Sequence, residues 1–206
     1  MTSNSNNQNT QQDVWNNIAE EWGKFKQIPS EFSREFLKSC TGNVLDLGSG
    51  SGRHITKIKK GKMYFVDFSE KMIELAKKKA KKLKIPAEFA VADLTKLPFE
   101  NNFFDYGICI SALHCIPPEN HKKTVEELYR VMKKGSKSLI GVWNFNSKRF
   151  NQKQGKEKFV SWRDKGKRYY YLFEEKEVHD LFKNAGFKIL LSHNSEMMIN
   201  FIVIKN

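Results

Sequence analysis

Cysteine is scarce in this chain, with three in 206 residues, an odd number with no Cys-x-x-Cys spacing. That excludes a disulfide framework and gives no zinc pattern, so no metal is expected, and Cys40, Cys109 and Cys115 fit a reducing compartment, cytoplasmic or nuclear. Long apolar runs are missing too. No window approaches the ~18 apolar residues of a membrane span, and the N-terminus lacks the basic-then-apolar order of a secretory signal, so no membrane association is expected. Acidic residues are in deficit, 23 against 36 Lys and Arg, for a net charge of +13. Such an excess attracts polyanions, nucleic acid first among them, although lysines on solvated helix faces would give the same count. Residues 1–12 contain no charged side chain and only Met1 as an apolar one, so they read as a disordered tail.

What remains, residues 13–206, has the length of one domain. From a candidate N-cap at Asp13, Val14, Trp15, Ile18, Ala19 and Trp22 recur at helical spacing, and a second helix follows Pro29. Short apolar runs at 43–47, 63–66, 87–91, 104–110 and 138–142 then alternate with amphipathic stretches near 53–59, 69–83 and 118–132. Strand–helix alternation implies a mostly parallel sheet with helices on both faces. A helix at 174–185 closed by Gly186 precedes strands near 187–192 and 198–204, whose short connection predicts an antiparallel hairpin. Seven strands arranged so define an α/β, Rossmann-like fold of the seven-stranded kind. Residues 144–171 show no period; nine Lys or Arg there face only Glu157 and Asp164, a local balance of +7 interleaved with aromatics.

The most informative stretch is Val44-Leu45-Asp46-Leu47-Gly48-Ser49-Gly50-Ser51-Gly52. Alternate glycines let the backbone turn sharply and approach a ligand closely. The dinucleotide fingerprint would need a third glycine where Arg53 stands. Asp67 ends the next strand, 21 residues after Asp46, where a carboxylate can accept from a ribose diol.

Gly48-x-Gly50-x-Gly52 behind Asp46 resembles the first motif of class I methyltransferases, Ala92-Asp93-Leu94 the third, and the strand at 104–110 the fourth. That resemblance implies S-adenosylmethionine as cofactor, with the glycine backbone against its amino-acid part and Asp46 beneath, holding the ammonium through water. Asp67 would take the ribose and Asp93 the adenine amino group, with Ser49, Phe68, Leu94 and Ser111 completing the contacts.

A closer likeness rests on Trp15-Asn16-Asn17-Ile18-Ala19, Ile110-Ser111-Ala112-Leu113-His114, Gly141-Val142-Trp143, Phe159-Val160-Ser161-Trp162, Arg168-Tyr169-Tyr170-Tyr171-Leu172-Phe173 and Ile199-Asn200-Phe201-Ile202-Val203. Together these resemble the tRNA wobble-uridine carboxymethyl methyltransferases, which esterify the 5-carboxymethyl group of uridine 34. Tyr171 and Cys115 replace histidines of that pattern, and Lys26 an arginine. The family implies the tRNA anticodon loop as substrate, with 144–171 as a basic recognition insert. A carboxylate is already nucleophilic at neutral pH, so placement matters more than a base. Arg168 and Lys26 would hold the carboxymethyl anion, His114 would donate to it or contact the uracil, and Tyr169, Tyr170, Trp162 and Asn200 would contact the nucleoside.

Each has a plainer alternative: Arg168 and Lys26 as solvated cations, His114 as a satisfied strand-end histidine, the tyrosines as core. Two other functions stay open, a methyltransferase of a small metabolite and a non-catalytic RNA-binding subunit. By the same family analogy a small zinc-binding activator subunit would cover an apolar sheet edge, for which the strand at 138–143 is the candidate.

Overall fold

A computed structural model of the chain describes residues 5–25, 27–150 and 155–206. Among them, a seven-stranded sheet runs in the order β3-β2-β1-β4-β5-β9-β8, built from β1 (Thr41–Leu47), β2 (Lys59–Asp67), β3 (Ala87–Val91), β4 (Phe104–Ile110), β5 (Met132–Trp143), β8 (Phe187–Ser192) and β9 (Met198–Lys205). The first five are parallel, whereas β9 pairs antiparallel with both β5 and β8. This is the expected seven-stranded Rossmann-like sheet with its closing antiparallel pair.

Both sheet faces are apolar because both are covered. α2 (Glu31–Ser39) and α3 (Glu70–Leu83) cover one face around Phe36, Val44, Phe65 and Ile73. α4 (Pro118–Val131) and α5 (Glu175–Asn184) cover the other around Leu45, Leu128, Ile140, Phe182 and Phe201. Each such side chain, taken fully from water, contributes about 1.5–3 kcal/mol. Local signals set the helix ends. Ser30 and Ser69 accept the N3 amides of Ser33 and Met72, Pro118 opens α4, and Glu174 and Glu177 form a capping box on α5. Gly186 follows α5 at φ +102, where a Cβ would meet the Tyr129 ring at 2.9 Å.

Four expectations change. The first helix, α1, spans Ser5–Phe25, so it starts well before Asp13, inside the stretch read as a tail. Long-range bonds anchor that extension: Gln11 Nε2 donates to Lys167 O (3.1 Å), Gln12 Nε2 donates to Phe68 O (2.7 Å), and Tyr169 N donates to Gln11 Oε1 (2.9 Å). No helix forms over residues 53–59; turns at 51–54 lead into extended chain, since the link between Leu47 and Lys59 is too short for a helical crossover. Within 144–171 a separate antiparallel ribbon appears, β6 (Glu157–Ser161) with β7 (Lys167–Tyr171). Lastly, β5 lies between β4 and β9, so it is no edge; the sheet ends at β3 and β8.

The ribbon packs through Val160, Trp162 and Tyr170 against Trp15, Ile18 and Trp22 of α1 and Met72 and Leu75 of α3. α1 and the ribbon thereby roof the C-terminal ends of the parallel strands, where doubly wound sheets bind their ligands.

Candidate active site

Beneath that roof lies a cavity of about 200 Å³ whose floor is the turn after β1. The backbone reverses there: Gly48 and Ser49 both donate to Val66 O at 2.8 and 2.9 Å, and Gly48, Gly50 and Gly52 have φ of +72, +54 and +76. A Cβ on Gly48 would sit 2.1 Å from Ala112 Cβ and one on Gly52 would sit 2.5 Å from Ile55 Cδ1, so those two glycines are required by packing. Gly50 has nothing within 4 Å of that position and faces open space in the cavity wall. Ser49 Oγ is buried beside it with no hydrogen-bond partner.

The rim follows the strand order. Beyond β3, Asp93 and Leu94 line the cavity, Asp93 Oδ1 accepting Thr95 N–H at 2.8 Å. At the end of β2, Asp67 accepts Gly50 N–H (2.8 Å) and Ser69 N–H (3.0 Å), with the Phe68 ring beside it. Burial raises the Asp67 carboxyl to about 6 despite those bonds, and the Asp46 charge adds to the rise. Beyond β4, Ser111 adopts φ +63 and leads into a 3-10 turn, Leu113–Cys115, that carries His114. These residues bring together the candidates for cofactor contact, with two exceptions, Gly52, which packs on Ile55 and Ala76 outside the lining, and Asp46. Asp46 is 1% exposed and lies behind the wall; its Oδ2 is 3.2 Å from His54 Nδ1, and His54 is the one that reaches the cavity.

The other end of the cavity is aromatic. Tyr170 lies flat on Trp143 (4.2 Å, 24°), and His114 stacks on the same indole at 5.0 Å. The Trp143 backbone N–H donates to His114 Nδ1 at 3.0 Å, which leaves the ring proton on Nε2. Burial lowers the His114 pKa to about 3, with His121 and Arg53 contributing. His114 is therefore a neutral donor at physiological pH, with no lone pair left for a proton. Burial also drives the Cys115 thiol and the Tyr170 hydroxyl upward, so neither ionises there.

The remaining candidates are placed elsewhere. Arg168 is 6% exposed and outside the cavity lining; its Nη1 donates to Tyr170 Oη at 2.7 Å, and its guanidinium lies 4.9–5.9 Å from the rings of Trp162, Trp22, Tyr170 and Trp15. It is a caged cation, with no carboxylate partner among the described residues and with Nε unsatisfied, and it supports the back of Tyr170. Trp162 closes that cage and donates Nε1–H to Glu21 (2.8 Å). Tyr169 points away toward Glu157 (2.8 Å), and Asn200 sits across from Gly141 on β9, outside the lining. Lys26 lies outside the described residues. Glu21 pairs Arg163 and Lys165, while Glu174 and Glu177 pair Lys156, so acids from other elements offset part of the +7 balance.

Several lining residues were not among the site candidates, three of them polar and next to the cofactor loop or the roof. Arg53 and His54, directly after the glycine run, and Gln11, in the second turn of α1, all line the cavity. The run itself was the signal for the first two, because the turn must carry whatever follows it across the strand ends. For Gln11 local sequence held no signal.

A methyltransferase domain model matches residues 44–135. An uncharacterized protein of Methanocaldococcus jannaschii is 32% identical over 85% of this chain and 81% of its own length. The tRNA (carboxymethyluridine(34)-5-O)-methyltransferase of Schizosaccharomyces pombe is 26% identical over 86% of this chain and 88% of its own. A ubiquinone/menaquinone biosynthesis C-methyltransferase of Rickettsia felis is 32% identical over 58% of this chain and 55% of its own. Among solved structures, the Burkholderia thailandensis 1,6-didemethyltoxoflavin-N1-methyltransferase with bound S-adenosylhomocysteine superposes with a TM-score of 0.75 at 15% identity, covering 100% of this chain and 92% of that one. A chain in the complex of the Haloferax volcanii Trm112 methyltransferase activator gives 0.67 at 16% identity, over 94% and 95%.

This chain belongs to the class I S-adenosylmethionine-dependent methyltransferases. Its cofactor is S-adenosylmethionine, and the cavity fits it: an open glycine cradle, an orphaned Ser49 hydroxyl and the carboxylates of Asp67 and Asp93 along the rim.

Proposed function

We propose that this enzyme methylates a carboxylate, the 5-carboxymethyl group of wobble uridine 34 in a tRNA anticodon loop. The observation that carries the reading is the acceptor end of the cavity: His114, Cys115 and Tyr170 are each held in the form that cannot take up a proton near neutral pH. A carbon or hydroxyl acceptor must lose a proton on methylation, whereas a carboxylate, with an ordinary pKa near 4, arrives ionised. The fission-yeast relative, matched along nearly its whole length, carries that activity in its name.

The cofactor supplies an electrophilic methyl on a sulfonium. Gly50, Ser49, Asp67, Phe68, Asp93, Leu94 and Ser111 hold it, and the chain's other contribution is placement. His114 Nε2–H donates to one carboxylate oxygen and so aims the other, while the Trp143 and Tyr170 faces exclude water and stack on the uracil. Arg168, through its bond to Tyr170 Oη, fixes that ring and so acts as a positioning residue. A small-metabolite C-methyltransferase, as the rickettsial relative is named, would need a base at this end of the cavity. The activator subunit, supported by the Haloferax likeness, would seat on one of the two sheet edges, β3 with Val91 (47% exposed) or β8 with Leu190 and Leu191 (45% and 50%).

The test is nucleoside mass spectrometry after incubation of the protein, with and without an activator subunit, with S-adenosylmethionine and tRNA bearing the free acid. The methyl ester should form, and tRNA lacking the carboxymethyl group should stay unmodified. Methylation of a quinone precursor with none on the tRNA acid would overturn the proposal.

A further inference from the structure

The positive excess of the chain is unevenly compensated. Around the ribbon, Glu21, Glu174 and Glu177 take up Arg163, Lys165 and Lys156. Helix α3 divides in two: its first half pairs Lys71 with Glu74 at 3.1 Å, and its second half carries Lys77, Lys78, Lys79, Lys81 and Lys82, with Lys84 at the C-cap and no acid. None of these lysines forms an ion pair among the described residues. Lys78 and Lys82 stand one turn apart and Lys79 and Lys82 three residues apart, a like-charge spacing that opposes helix formation. The helix dipole favours cations in the last turn, at Lys81 and Lys82, but not a turn earlier at Lys77 to Lys79.

Lys79 marks the side of α3 nearest the cavity mouth, and Lys78 and Lys82 lie beside it. A Cβ on Gly23 would stand 3.3 Å from Ser51 Cβ and 3.6 Å from Leu75 Cδ1, and one on Gly52 would stand 3.1 Å from Ala76 Cβ. The end of α1, the glycine turn and α3 therefore meet there. Lys24 follows that contact on α1, Arg53 follows it on the turn, and Lys79 is one helical turn beyond Leu75. Burial lowers the pKa of the half-buried Lys79, and the nearby Arg53 charge lowers it further. An outer groove of about 440 Å³ is lined by Lys24, Phe25, Gln27, Ile28 and Arg53, and Arg53 lines the cofactor cavity as well. Phe25 is 65% exposed, its ring 5.7 Å from that of Trp162.

We infer that this track, Lys24 and Arg53 at the groove followed by Lys79, Lys78 and Lys82 along α3, holds the phosphate backbone of an RNA stem-loop, with unpaired loop bases at Phe25 and one strand of the stem along the helix. The inference rests on the proposed tRNA substrate and adds where its stem lies. A small anion would need donors that converge on one point, which lysines spread along a helix flank do not give. A chain of phosphates needs cations in series, and splayed loop bases need an exposed ring beside the cavity they enter. The grip thus lies on α3, while the ribbon, whose charge marked it as the recognition surface, has part of its cations taken up by acids.

Fluorescence anisotropy of a labelled anticodon stem-loop with plain uridine, titrated across a salt series, reads the track without methyl transfer. Lys78→Gln with Lys82→Gln, which keeps helix propensity, should weaken the stem-loop about 10- to 60-fold at about 0.1 M salt and flatten the log–log salt slope by about 2. The loop sequence alone, as a short single strand, should bind this variant and the wild type alike, and S-adenosylhomocysteine affinity should not change. Lys134→Gln with Lys137→Gln removes the same charge from exposed positions toward the start of β5, away from the cavity, and should leave stem-loop binding near its wild-type value. Stem-loop affinity undiminished by the α3 pair, or diminished as much by the β5 pair, overturns the track and leaves the substrate reading intact. Equal loss on the stem-loop and the single strand overturns the placement of the stem. A wild-type protein that binds no stem-loop overturns the substrate reading and the track with it.

Discussion

The cofactor half of the cavity takes most of its wall from one stretch, residues 48–68, whereas the acceptor half gathers Trp15, His114, Trp143 and Tyr170 from distant segments. They differ in how their polar atoms are used. In the cofactor half Ser49 Oγ and His54 Nε2 are buried and unpaired, and Gly50 opens toward the ligand. In the acceptor half the partners are internal: Tyr170 to Arg168, His114 to the Trp143 amide, Trp162 to Glu21, with Arg168 Nε the exception. The first half therefore selects its ligand by hydrogen bonds it has yet to make. The second offers shape, stacking and one donor, in a frame that is already bonded.

The contrast breaks most sharply at Gly48. Gly48→Ala should cost about 3 kcal/mol or more, because the new methyl meets Ala112 at 2.1 Å on a left-handed backbone. Urea denaturation measures the loss, and titration with S-adenosylhomocysteine should show no binding. Wild-type affinity in that variant would mean the turn is not set by packing.

Next in size, Arg168→Ala should cost about 2 kcal/mol through the emptied aromatic cage. Affinity for S-adenosylhomocysteine should persist while methyl transfer falls. If turnover drops only through a raised KM for tRNA, with unfolding unchanged, the arginine is a surface anion clamp after all.

His114 sharpens the comparison through pH. Its folded pKa, about 3, lies below the ordinary 6.5, so between those values the unfolded chain binds the extra proton. The stability it contributes is complete above 6.5 and is lost as pH falls toward 3, at up to about 1.4 kcal/mol per pH unit. His114→Gln should flatten that acid limb in urea titrations across pH 4 to 7, an unflattened limb counting against the buried neutral ring.

The smallest effect belongs to Asp67. Its carboxyl, raised to about 6, gains a proton as pH falls through that value and loses acceptor capacity for a ribose diol. Affinity for S-adenosylhomocysteine should drop about fivefold to tenfold from pH 7.5 to 5, following the ionised fraction, and the drop should vanish in Asp67→Asn. A flat profile in the unmodified protein would place the ribose elsewhere.

Which features were legible tracks the same division. Gly48, Gly50, Gly52, Asp67 and Asp93 could be read from sequence because each lies at a strand end, where an apolar run followed by glycine or acid is a local pattern. Helix placement was legible for α3, α4 and α5 for the same reason, since caps and apolar periods lie within a few turns of each other. The helix expected at 53–59 failed because amphipathic spacing cannot report that the link to the next strand is short. Arg168 and Tyr169 occupy neighbouring positions on β7, yet one enters a tryptophan cage and the other bonds Glu157. No local pattern in a run of tyrosines separates those two faces.

Sequence by itself determined the strand–helix alternation, the glycine turn and hence the methyltransferase class, because those features depend on residues within reach of one strand or turn. Only the tertiary structure decided where α1 begins, that residues 157–171 form a roof, and that Arg168 is caged. Those outcomes rest on contacts such as Gln11 to Lys167 and Trp162 to Glu21, 156 and 141 residues apart, whose gains exist only once the sheet has brought both ends together.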